Sequence, residues 1–165
     1  MSPEWRPDDS LSKRVGRREI EGTRRFKAAL AAGRVSVADR IITSRDKRIS
    51  DVQKKLKRPP AELPKGVEHW QMPVALGGQE DVLCFMSRMK PGTKVPEHAH
   101  RVTVFRVVIQ GSLKSSGVTL KPGDWMLVPP GMSYSAQAGP TGCVTYYAHF
   151  TPPAPPRPPR PKTNR

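Results

Sequence analysis

The period of hydrophobic and polar positions changes near residue 67. Downstream, Val82–Met89 and residues 101–110 carry apolar and β-branched residues in runs or at a spacing of two, the mark of strands. Residues 113–120 read as a hairpin with a glycine turn, and Pro122-Gly123 as a turn dipeptide. Trp125–Val128 and residues 133–137 and 144–150 complete a series of short strands. Such a series predicts an antiparallel sandwich or barrel over residues 66–150.

Upstream the pattern is helical and weaker. Residues 23–33 have a threonine cap, an alanine-rich body, Phe26 and Leu30 four apart, and a terminal Gly33. Residues 36–39, ahead of Ile41 and Ile42, and residues 50–53, ahead of Leu56, read as capping-box-like starts. Pro59 and Pro60 stop the last piece. The stripe Phe26, Leu30, Ile41, Ile42, Val52 and Leu56 is too narrow for an independent core. The helices are therefore predicted to dock on the barrel, a second subunit or a partner. Residues 1–9 read as disordered. Residues 151–165, rich in proline and arginine, read as a polyproline II or disordered tail.

A length of 165 residues predicts one domain. The formal charge of +15 sharpens its division. Residues 1–65 hold 18 Lys and Arg against 9 Asp and Glu, residues 66–150 hold 7 against 5, and residues 151–165 hold 4 against none. The expected barrel is thus nearly neutral between basic flanks. A basic arm implies weak, non-specific attraction to nucleic acid or an acidic partner. Zinc-finger spacing, a glycine-rich phosphate loop and an aromatic RNA-binding signature are absent from the sequence. No run approaches the ~20 apolar residues of a membrane helix. The first residues lack an apolar signal region, which gives cytoplasmic residence as the expectation. Cys84 and Cys143 fall in expected strands and are read as buried thiols rather than a disulfide.

The chemistry concentrates in Gly92-Thr-Lys-Val-Pro-Glu-His-Ala-His100. In a strand, His98 and His100 share one face. Two neutral imidazoles on one face make half of a transition-metal site. Glu97 takes the opposite face and reads as a solvated carboxylate. His69 and His149 read as structural histidines, although His149 could turn inward as a ligand.

These residues sit in a longer pattern. Gly92, His98, His100 and Gly111 match G-x5-H-x-H-x3-E-x6-G, and Gly123, Pro129 and Gly131 match G-x5-P-x-G-x2-H-x3-N. The chain thereby resembles the cupin superfamily over roughly residues 66–150. The fold this implies is mainly β: a single jelly-roll-like antiparallel β-barrel, here with a helical basic N-terminal extension. The pattern's glutamate ligand falls on Val104, its third histidine on Tyr134 and its asparagine on Ala138.

The resemblance implies a divalent transition metal, iron first, with zinc, manganese, nickel or copper as alternatives, held by His98 and His100. Tyr134 is either a third ligand, as a phenolate, or a residue closing the barrel mouth. Val104, Phe105, Trp125 and Tyr134 are the expected walls of a substrate pocket. The function implied is a metal-binding cupin acting on a small organic molecule, dioxygenase-like, and homodimeric as cupins often are. A metal-free cupin using a histidine as base is a variant of the enzyme reading. The alternative is a non-catalytic binding, sensor or scaffold module whose basic arm contacts a polyanionic partner.

Overall fold

The computed structural model describes residues 5–7, 9–15, 19–35, 43–72 and 82–151. Among them, seven strands make one antiparallel sheet: β1 (Val67–Gln71), β2 (Val82–Met89), β3 (Lys94–His98), β4 (Thr103–Ser115), β5 (Val118–Leu120), β6 (Trp125–Val128) and β7 (Tyr134–Phe150). The path runs β1-β2-β7-β4-β5, with β3 added on β7 and β6 on β4. This is the mainly β, cupin-type architecture expected from the residue pattern.

The two long strands β4 and β7 are the spine, paired from Thr103↔Phe150 to Ser115↔Ala136. The segments 133–137 and 144–150, expected as separate strands, are one strand. The glycines and proline between them bend the strand without ending it. The ladder shifts register between Val108 and Gln110 and again between Gly111 and Leu113. Each shift changes which side chains face inward. In β7 the buried positions include Tyr134, Ala136 and Ala138 before the bend, then Cys143, Thr145, Tyr147, Ala148 and His149 after it. Gly111 takes φ +72°, and a Cβ there would run into the Gly142 carbonyl, so two backbones meet where only glycine fits.

The barrel interior has two clusters, bridged by Met126. One holds Leu83, Phe85, Val104, Val128, Tyr134 and Tyr147; the other holds Met89, Val108, Leu113, Ala136, Ala138 and Cys143. The N-terminal arm completes the first, because Leu11 and Ile20 belong to it. Two helices follow, α1 (Glu21–Ala32) and α2 (Lys47–Lys55). Gly22 lies so close to Leu83 that a Cβ would come within 2.6 Å of Cδ1. The buried Gln71 amide donates to the Gly22 carbonyl at 2.9 Å. Phe26, Leu30, Ile49, Val52 and Leu56 pack the helices on each other. The arm therefore docks on the barrel of its own chain.

Several expected boundaries move. α1 begins at Glu21, not after Thr23, which is buried against the core side. α2 begins at Lys47, because the Asp46 carboxylate caps the Arg48 amide at 3.0 Å, ahead of Ser50. The expected helix start at residues 36–39, with Ile41 and Ile42, and the tail from residue 152 lie outside the described residues. Cys84 and Cys143 are free, buried thiols, and burial pushes the Cys143 thiol up to about 11. No described helix is long and apolar enough to cross a membrane.

Candidate metal and ligand site

β3 ends at His98, which pairs with Tyr134 of β7, and the chain then turns through His100 into β4. The Gly131 amide donates to the His100 carbonyl at 2.8 Å, so the Pro129-Pro130-Gly131 turn holds the histidine loop in place. Both imidazoles are buried, at 8% exposure each. Their rings meet edge to face at 5.1 Å. His149, from β7, lies 5.0 Å from the His100 ring, and Tyr134 lies 4.4 Å from the His98 ring. The Tyr134 hydroxyl and His149 Nε2 are buried without a hydrogen-bond partner.

Each of the paired histidines is anchored through Nδ1. That of His98 is 2.7 Å from the Pro96 carbonyl, and that of His100 is 3.0 Å from Asp9 Oδ1. Each contact assigns the ring proton to Nδ1 and leaves Nε2 as the lone-pair donor. Burial lowers the His98 pKa to about 4, with His100 and Arg106 adding repulsion. Burial also holds His149 well below the ordinary value. Desolvation opposes ionisation of Asp9, but hydrogen bonds from His100 and the Arg101 amide outweigh it and hold its pKa low.

The rings open onto a cavity of about 70 Å³. His69, Phe85 and Tyr147 line it as a stack, with centroids 4.9 Å and 5.1 Å apart in that order. Arg106 lies 4.5 Å over the outer face of the Tyr147 ring system. Trp5 covers the His98 side, with its ring 5.1 Å from the imidazole and its indole nitrogen donating to the Glu62 carbonyl at 3.1 Å. Residues 5–7 and 9, expected as part of a disordered start, instead cross the barrel mouth. Indole burial and the Asp9 contacts hold them there.

The other expected site residues are placed as follows. Tyr134 lines the cavity, and Glu97 is exposed. Val104 has the inward parity expected but is sealed inside the core and does not line the cavity. Phe105 and Trp125 correct the expected pocket wall. Phe105 alternates with Val104 and so faces outward, where it meets Trp125 at 5.7 Å; Trp125 is 60% exposed. His69 is not ahead of the barrel but in β1, inside the stack.

Asp9, Trp5 and Arg106 were missed as site residues. Nothing local marks the first two. Arg106 was discoverable: it shares the inward parity of Val104 and Val108 within a β-branched run.

The donor chemistry fits a divalent transition metal. Metal-bound histidines ordinarily give their second nitrogen to a carboxylate or backbone carbonyl, as both do here. The geometry offers these two anchored imidazoles and no more. Among the described residues, no three His, Cys, Asp or Glu side chains gather as one ligand set.

A single antiparallel sheet with paired imidazoles in its interior defines a cupin. The sequence model of the ChrR cupin-like domain matches residues 54–152, and the chain belongs to that family. No curated protein matches the chain. Solved structures with a similar fold include a chain of the complex of Rhodobacter sphaeroides SigE with the anti-sigma ChrR. It is 20% identical, with TM-score 0.47, and the match covers 53% of this chain and 45% of that one. An RmlC-like cupin from Shewanella frigidimarina is 22% identical, with TM-score 0.45, covering 53% and 78%. A protein from Rhizobium leguminosarum is 20% identical, with TM-score 0.47, covering 68% and 97%.

Proposed function

We propose that this cupin binds a divalent transition metal through Nε2 of His98 and His100 and acts on a small ligand. The observation that carries the reading is the anchoring of both Nδ1 atoms, by the Pro96 carbonyl and the Asp9 carboxylate. This arrangement holds each imidazole in one orientation, with Nδ1 engaged and Nε2 turned away from its anchor. A bound ion would supply Lewis acidity and open coordination positions, the requirement for dioxygenase-like chemistry, with iron the first candidate. Tyr134 and His149 contribute a hydroxyl and a nitrogen with no other partner. Trp5 and the aromatic stack exclude bulk water. The cavity of about 70 Å³ favours a ligand of a few heavy atoms over an aromatic substrate.

Metal analysis of untagged protein tests the proposal. Wild type should carry divalent metal, and His98→Ala and His100→Ala should each lose it. Tyr134→Phe separates ligand from wall, since unchanged metal content makes Tyr134 a wall. Wild type with no affinity for iron, zinc, manganese, nickel or copper would sink the reading, and the oxygenase proposal with it.

The second reading, a non-catalytic binding module, is supported by the strap of residues 5–7 and 9 across the mouth. Dioxygen consumption by iron-loaded protein with candidate small acids and ketones separates the two. We also propose a homodimer through the outer face of β4 and β6. There Ile109, Trp125 and Leu127 are exposed, and β6 pairs with no described strand except β4. Trp125→Glu should convert a dimer to monomer in sedimentation; a wild-type monomer at all concentrations refutes it. Weak polyanion binding by the basic arm should fall steeply as salt rises.

A further inference from the structure

Arg106 presents an unsolved charge. β4 points it inward between Val104 and Val108, into the cavity that His98 and His149 also line. Its Nη1 reaches only Thr145 Oγ1, at 3.5 Å, while Thr145 is already bonded to Ser87 Oγ at 2.9 Å. Its Nε is buried and has no hydrogen-bond partner. No ion pair found among the described residues includes Arg106. The carboxylates of Asp9 and Glu62 do not line the cavity and are engaged elsewhere. Asp9 holds His100 and the Arg101 amide, and Glu62 holds Arg58.

A guanidinium cannot shed its charge. With its Nε withdrawn from water and unpartnered, it is costly without an anion, and the Tyr147 ring face offsets only part of that cost. Arg58, the other guanidinium lining the cavity, is paired with Glu62, which leaves Arg106 as the lining guanidinium without a carboxylate partner among the described residues. Beside it are two polar groups lacking partners, the Tyr134 hydroxyl and His149 Nε2.

Size and lining narrow the anion. The cavity, about 70 Å³, is far below the few hundred Å³ of a pocket for a drug-sized ligand, so it suits a small molecule. The remaining wall is largely apolar, with Phe85, Met89, Val95 and Ala136. One planar fork in an apolar wall matches a monocarboxylate; a phosphate would bring more charge than this wall offsets.

We propose that Arg106 anchors a small carboxylate of one to three carbons inside the barrel, with the Tyr134 hydroxyl and His149 within the same enclosure. This deepens the ligand-site reading above and is independent of whether metal is bound.

The test uses the full chain, stripped of metal by a chelator, at fixed ionic strength. Acetate is compared with acetamide, its neutral isostere, by thermal unfolding and by broadening of the ¹³C-acetate signal. Acetate should stabilise the protein saturably and acetamide should not. Arg106→Gln should weaken acetate binding at least tenfold, whereas Lys114→Gln, at an exposed position of the same strand, should leave it within about threefold. Equal responses to acetate and acetamide, or equal acetate binding by Arg106→Gln and wild type, would overturn the assignment. Should Arg106→Gln fail to fold, the comparison on wild type decides. Acetate-selective binding by protein that takes up no metal would keep this inference and reject the metal reading. Metal uptake without acetate selectivity would do the reverse.

Discussion

Asp9 Oδ1 lies 3.0 Å from His100 Nδ1, joining residues 91 positions apart. The carboxylate fixes the imidazole from outside the strands and ties the N-terminal strap to the barrel. The family pattern's own glutamate position is the valine at 104, so the nearest carboxylate to the histidines arrives from a different part of the chain. Asp9→Ala should therefore weaken zinc binding by about 10–100-fold while leaving the far-ultraviolet spectrum unchanged, measured by competition with a chromogenic chelator. Unchanged affinity would remove Asp9 from the site.

Trp5 is a removable cover. Trp5→Ala takes the indole from the His98 ring without touching either Nδ1 anchor. Carbethoxylation of His98, followed by mass spectrometry, should accelerate at least tenfold, with thermal stability falling only slightly. An unchanged rate would mean that the indole does not limit access.

The arm completes the core, so it should not be dispensable. A chain starting at Gly66 lacks Leu11 and Ile20 and leaves the buried Gln71 amide without the Gly22 carbonyl. Each lost large apolar side chain costs about 2–5 kcal/mol, comparable with the whole stability of a small domain. Such a chain should aggregate or lose its cooperative urea transition. Full stability would refute the packing role of the arm.

Gly111→Ala should destabilise the fold by at least ~2 kcal/mol in urea unfolding. It combines a positive φ with a collision against the Gly142 carbonyl. Gly117→Ala, also at positive φ but with open space around its Cβ, should cost less. Equal costs would show that close approach at Gly111 is unimportant.

His69 gives the pH dependence a sign. Burial, with repulsion from Arg58, Arg106 and Arg25, lowers its pKa from 6.5 to about 3. Between those values the unfolded chain binds the proton and the native chain does not. This contribution is thus fully present above pH 6.5 and is lost as pH falls toward 3. His69→Phe should flatten stability against pH across that window by up to about 1.4 kcal/mol per pH unit. Parallel wild-type and variant curves would exclude His69 as a source of acid sensitivity.

Much of the barrel was legible in the residues because its signals are local. Strand alternation, the Ser116-Gly117 hairpin and the turn glycines depend on neighbours a few positions away, and β2, β4, β5 and β6 formed near their expected places. His98 and His100 were likewise readable as a pair, being two residues apart, although only His98 lies in β3 and His100 sits in the turn that follows, where the strand alternation expected of both does not apply. The error at residues 133–150 has a physical cause: glycine and proline allow a turn equally well as a bend, and only pairing with β4 on one side selects the bend. Phe105 and Trp125 were misplaced because apolar character does not reveal which face of a sheet is covered.

The sequence by itself determined the strands, the turns and the paired imidazoles, because these follow from backbone preference and side-chain period. Only the tertiary structure decided what surrounds the pair. Trp5, Arg106 and His149 reach one cavity from segments far apart in the chain, Asp9 reaches the His100 ring beside it, and no local energy term connects them. Their meeting follows from burying Leu11 and Ile20 against β2 and from the register of β4 on β7. Both are set by the packing of the whole barrel.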